Sequence, residues 1–126
     1  MKMSIEQNIY QAIQKYMQIY CRMEKKKRNQ FKVLSEIGGT GAERLKNDLQ
    51  LRFDDELLEV QKKHGSSIRH YVSKIEDEAI KKQVRYLANM CIRHPEQYFQ
   101  KPDEIIEEIR KIFSPDVLTN TVNKPP

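Results

Sequence analysis

The chain contains no tryptophan, only four glycines in 126 residues, and two cysteines that stand 70 positions apart. Each shortage removes a class of protein. So few glycines beside 33% charged residues argue against a β-sandwich, a collagen-like chain or a low-complexity linker. Two distant cysteines supply neither a disulfide framework nor a four-cysteine zinc site. No apolar run approaches the roughly 18 residues that span a bilayer. No basic stretch followed by a short apolar run opens the sequence as a signal peptide would. A small cytoplasmic domain is therefore expected. Ile, Leu, Val and Phe make up 31 of the 126 residues. That exceeds the roughly one-fifth below which highly charged chains stay disordered, so a core can form.

The formal net charge is +5, and it is local. Between Lys15 and Lys32 lie seven basic residues (Lys15, Arg22, Lys25, Lys26, Lys27, Arg28 and Lys32) and one acid, Glu24, so this window carries +6 and the rest of the chain −1.

Helical spacing dominates the chain. Ser4 with Gln7 makes a capping box ahead of Ile5, Ile9, Ala12, Tyr16, Ile19 and Met23, with Tyr10, Ile13, Met17, Tyr20 and Cys21 widening the stripe to an arc of roughly 200°, about twice what a surface helix needs. Such a helix has more than one apolar neighbour, inside the bundle or in another chain. Gln7, Gln11, Gln14 and Gln18 occupy the other face, where glutamine's helix propensity is reason enough for them. Lys27 and Arg28 fall on the apolar arc, which a buried face does not tolerate unpaired. The helix is therefore expected to bend there or to project beyond the bundle before Phe31, Leu34 and Ile37 resume the stripe. Gly38-Gly39-Thr40-Gly41 ends it.

A second helix is expected from a Thr40/Glu43 capping box to His64, with Gly65 as its terminator. Its stripe is Ala42, Leu45, Leu49, Phe53, Leu57 and Val60, with Leu51 and Leu58 on the far side. A third segment, from Ser66 or Ser67 to Pro95, carries two stripes about 100° apart, Ile68/Val72/Ile75/Ala79 and Ile80/Val84/Leu87/Cys91. One kinked or sandwiched helix is the favoured reading. A break near Ser73, where Ser73 and Glu76 match a capping box, is the alternative. A single turn over residues 94–99 and a last helix from Pro102 to Phe113 complete the fold, the latter buried along Ile105, Ile106, Ile109, Ile112 and Phe113. Residues 1–113 thus read as one all-α domain, four principal helices in an antiparallel bundle with a long first helix. Residues 114–126 read as a flexible tail into which Val117 and Leu118 fall.

No constellation for catalysis emerges. His64, His70 and His94 are never four apart, and Glu-x-x-His is absent. Cys21 and Cys91 lie on apolar stripes, as buried cysteines do. Cys91 has His94 one turn away, but at a proline-terminated helix end. The glycine cluster lacks the Gly-Lys-Ser/Thr of a phosphate loop. Asp54-Asp55-Glu56 and Glu76-Asp77-Glu78 are consecutive on helices and fan out around the axis. No catalytic residue, metal, cofactor, small-molecule substrate or membrane is expected. The leading expectation is a non-catalytic interaction or assembly protein, an oligomer subunit or adaptor whose first helix contributes to an interface involving Tyr10, Met17, Tyr20, Leu51 and Leu58. The alternative is a weakly sequence-selective nucleic-acid-binding accessory protein, touching phosphates or an acidic partner through Lys15, Arg22, Lys25, Lys26, Lys27, Arg28 and Lys32.

Overall fold

The computed structural model describes residues 3–114. Among them are four α-helices and no strand: α1 (Ile5–Ile37), α2 (Gly39–Ser73), α3 (Glu78–Arg93) and α4 (Pro102–Phe113), with a 3-10 turn at Pro95–Gln97. Of the tail expected at 114–126, all but Ser114 lies outside the described residues.

The first helix starts where the capping signal puts it. Gln7 N donates to Ser4 Oγ at 3.1 Å and Ser4 N donates to Gln7 Oε1 at 3.4 Å, so two otherwise orphaned amides are satisfied. α1 then continues unbroken for 33 residues, about 50 Å at 1.5 Å per residue. Gly38 alone separates it from α2, with φ 72° followed by φ 89° at Gly39. These left-handed values are open to glycine at little steric cost. The Thr40/Glu43 capping box does not form. α2 already begins at Gly39 and its cap position is Gly38, which offers no side chain. Thr40 therefore sits inside the first turn.

α1 and α2 pack along each other as a hairpin. Leu34 shares a recess with Leu45 and Leu49, Tyr20 meets Phe53 edge-on with ring centroids 6.1 Å apart, and Tyr16 stacks on His64 at 6.4 Å.

Gly65 does not end α2, which runs on to Ser73. The glycine is buried, and a Cβ built there would stand 3.1 Å from Ile92 Cγ2. It lets α2 and α3 approach closely. The continuous helix favoured between Ser66 and Arg93 is absent, because the chain leaves helical geometry between Ser73 and Glu78. Ser73 does not cap the next helix; its Oγ donates to His70 O at 2.6 Å, and Asp77 Oδ1 instead accepts from Ile80 N at 3.1 Å. Ile68 and Val72 thus belong to α2, and Val84 and Cys91 to α3. Separate helices reconcile two stripes that no single straight helix could bury.

The core gathers Ile9, Ile13, Tyr16 and Met17 from α1 with Ile68, Val72, Ile75, Val84, Ala88, Cys91, Ile92, Ile105, Ile106 and Ile109. Tyr16 O–H donates to Ile92 O at 2.6 Å, and Gln61 Nε2 donates to the same oxygen at 3.0 Å. This carbonyl is among the last four of α3, which have no partner within the helix. Phe99 closes the far end, its ring centroid 5.1 Å from that of Tyr20. The wide apolar arc of α1 is therefore used inside the chain, against α2, α3 and α4. Among the described residues, only α1 and α2 extend past Tyr20 and Phe53. Residues 25–37 and 39–52 form a two-helix arm about 20 Å long, along which Ala42 is the one buried residue.

Two expected outcomes follow from this packing. Gly41 has open space around it, so Gly41→Ala should stabilise by about 0.5–1 kcal/mol through helix propensity. Gly65→Leu should cost about 1–3 kcal/mol by overpacking against Ile92. Urea denaturation of the two variants reads both. Burial also pushes the Cys91 thiol from 9.0 to about 12 and the Tyr10 and Tyr20 hydroxyls from 10.0 to about 12. The unfolded chain loses these protons at a lower pH than the folded one. Their stabilisation is therefore full below about pH 9 and is lost as the pH rises towards about 12. Thermal melts should show Tm falling across that window.

Candidate functional site: a furrow along the first two helices

One continuous furrow runs between the two helices of the hairpin. Three recesses of about 670, 320 and 420 Å³ follow one another along it. The first and second share Arg22, and the second and third share Gln30, Leu49 and Arg52. Helical periodicity explains the lining. Lys15, Arg22 and Lys26 lie seven and four residues apart, hence on one face of α1. Arg52 and Lys63 are eleven apart on α2, the same three-turn interval that separates Lys15 from Lys26.

The widest recess, at the bundle end, is bordered by Asn8, Gln11, Gln14, Gln18 and Ser67 together with Lys15, Arg22, Lys63 and His64, with Met3, Ala12 and Tyr71 beside them and, among the described residues, no carboxylate. The glutamine face thus forms one wall of it. The His64 imidazole is held below its ordinary pKa by burial, and further by the charges of Lys15 and Lys63. In the middle recess Lys26, Lys27, Arg22 and Arg52 meet a single acid, Glu56. At the arm end the lining turns apolar, with Val33, Leu34, Leu45 and Leu49 between Asn29, Gln30, Asp48 and Arg52.

The seven basic residues singled out from sequence separate into two groups. Lys15, Arg22, Lys26 and Lys27 line the furrow, whereas Lys25, Arg28 and Lys32 do not. Lys27 is engaged already: Glu24 lies 3.5 Å from its Nζ, which sits 4.0 Å from the Phe53 ring centroid. Arg28 reaches the same Glu24 at 3.6 Å. One carboxylate and one aromatic face thus resolve the conflict of two cations on an apolar arc, and α1 needs no break. Arg52 and Lys63 join the furrow-lining cations from α2, outside the basic segment that charge alone picks out. Their eleven-residue spacing is visible in the sequence, but its match to Lys15 and Lys26 emerges only when the two helices are paired.

The expected protein-interface residues also divide. Met17 and Tyr20 are 1% and 4% exposed, consumed by the chain's own core, and present no surface to a partner. Tyr10 sits half-buried in the seam with α4, donating to Glu6 Oε2 at 3.3 Å, with the Arg110 guanidinium 6.0 Å from its ring centroid. Leu51 and Leu58 are exposed, at 63% and 56%.

Chemistry elsewhere is sparse. Cys91 is fully buried, its Sγ 3.9 Å from Met17 Sδ. His94 turns to Glu96, 3.4 Å away, so the Cys91/His94 spacing makes no activated thiol. Among the described residues no three His, Cys, Asp or Glu side chains are grouped to hold a metal ion, and no helix is long and apolar enough to cross a membrane.

Replacing Lys15 or Lys63 by Gln should raise the pKa of His64, because each cation disfavours the imidazolium. An NMR titration of the His64 ring protons measures it, and an unmoved pKa in both variants would mean that burial alone sets the value. Comparison of the chain with protein-family models, with curated proteins and with solved structures finds no match.

Proposed function

We propose that the chain is a non-catalytic interaction and assembly protein that docks through the two-helix arm. In this reading the four helices pack as an antiparallel bundle at one end, and α1 and α2 carry a contact surface away from it. The observation that carries the reading is the uncovered apolar surface of the arm. Val33, Ile37 and Leu45 are all more than half exposed, and Val33 and Leu45 border the 420 Å³ recess between the helices. A two-helix layer buries one stripe on each helix and leaves the rest to water unless a third element covers it. Clustered apolar residues of this kind mark interaction sites, where scattered ones would not.

The core occupies the apolar side of the N-terminal half of α1, so the interface lies on the halves of α1 and α2 that extend away from the bundle. Leu51 adds to the same region from the outer face of α2. The absence of catalysis is part of the proposal. It is supported by the burial of Cys91 and by the dispersal of the acidic clusters, in which Asp54 accepts from Gln50, Asp77 caps α3 and Glu78 pairs with Lys81.

Self-association is the form with the simplest test. Light scattering over a concentration series should show the wild-type chain forming dimers or larger species. Val33→Glu with Leu45→Glu should abolish them while leaving the helical circular dichroism unchanged, since both side chains are exposed. A wild-type chain that stays monomeric at high micromolar concentration would overturn self-association through the arm.

A further inference from the structure

Independently of what the arm docks, we infer that the furrow between α1 and α2 binds the phosphate backbone of a single nucleic-acid strand. Lys15 and Lys63 form one rung across it and Lys26 and Arg52 a second, with Arg22 between them. Eleven residues of helix place the rungs about 16 Å apart. All five side chains belong to exposed residues, and among the described residues none has a carboxylate within 4.0 Å. Among the described residues no carboxylate lines the wide end of the furrow, although the chain carries 18 acids. A cationic surface of ordinary solubilising character has its lysines interspersed with acids, as on the i,i+3 pairs of Glu59 with Lys62 and Glu107 with Arg110. Here the positive charges converge on a concavity from two helices, and each phosphate they neutralise releases counterions.

The shape selects among anions. A planar bilayer surface cannot follow a concave furrow. Between the rungs Gln18 and Arg22 face Met23, Phe53 and Glu56, and around the Lys15/Lys63 rung the wall carries the Asn8, Gln11 and Gln14 amides beside Met3, Ala12 and Tyr71. Those amides donate and accept hydrogen bonds, as unstacked bases and sugar hydroxyls require. Packed helices lie only about 8–10 Å apart, so the trough between them suits one strand better than a duplex. Among the described residues the aromatic rings along the furrow are dispersed, His64 and Tyr71 at its wide end and the buried Phe53 in the middle recess, so the binding is read as electrostatic and tolerant of sequence.

The test is fluorescence anisotropy of the full chain with a labelled oligonucleotide of about 12 nucleotides, its duplex, and a poly-glutamate peptide of equal charge. The single strand should bind most tightly and weaken about 100-fold between roughly 50 and 200 mM salt, as about five backbone contacts imply. Changing Lys15, Arg22, Lys26, Arg52 and Lys63 together to Gln should cost at least about tenfold in affinity. Changing Lys74, Lys82, Arg85, Arg93 and Lys111 together to Gln removes the same net charge elsewhere and should cost far less. If the fivefold furrow variant fails to fold by circular dichroism, Arg22→Gln alone decides, with a salt slope shallower by about 0.7. Equal losses from the two fivefold variants would overturn the inference, as would an unchanged slope in Arg22→Gln. So would tighter binding of the duplex or the peptide, or no binding at about 50 mM salt.

Discussion

The hydrogen bond from Tyr16 to the Ile92 carbonyl organises the rest of the molecule. The tyrosine ring has no solvent exposure, so its hydroxyl must find a partner inside the protein or cost free energy. The carbonyl stands at the end of α3, where the helix ladder runs out. One interaction settles both needs and ties α1 to α3 across 76 residues of sequence. Gln61 brings α2 to the same oxygen, so three helices converge on one atom. Gly65 permits this convergence by removing the side chain that would hold α2 away from Ile92.

Below that point the core fills with branched aliphatic residues from all four helices. Above it the supply of partners ends, because α3 and α4, at 16 and 12 residues, are much shorter than the 33 and 35 residues of α1 and α2. The mismatch creates the arm. It also explains the arm's chemistry. With no third layer among the described residues, α1 and α2 bury only their facing stripes, and the positions that would be core in the bundle become Val33, Leu45 and Ile37, the last 71% exposed. At the junction the transition is made by Lys27, whose ammonium lies over Phe53 beside Glu24. A cation there closes the core against water while keeping its charge solvated on one side.

Legibility in the sequence tracked how local each determinant was. The Ser4 capping box, the proline-opened α4 and the glycine link at Gly38 depend on neighbours a few residues away, and the chain follows them. Gly65 misled because a glycine that ends a helix and a glycine that admits a neighbouring helix look alike until that neighbour is known. The Thr40 capping pattern lost to Gly38 and Gly39, whose left-handed backbone reverses the chain one step earlier. The basic segment was visible from charge alone. That four of its seven members face a furrow was not, and neither was the contribution of Arg52 and Lys63, because both depend on how α1 faces α2.

Periodicity and composition were therefore sufficient for an all-helical chain with a long first helix, a wide apolar arc and a concentrated positive charge. These are properties of single helices, set by spacing and propensity along the chain. Tertiary packing alone decided that the arc is spent internally, that Met17 and Tyr20 are core, and that cations from two helices line one concave surface. The physical reason is that a helix presents side chains in every direction. Which direction becomes interior depends on residues dozens of positions away, through close packing and the few buried polar groups, such as Tyr16, that must be matched.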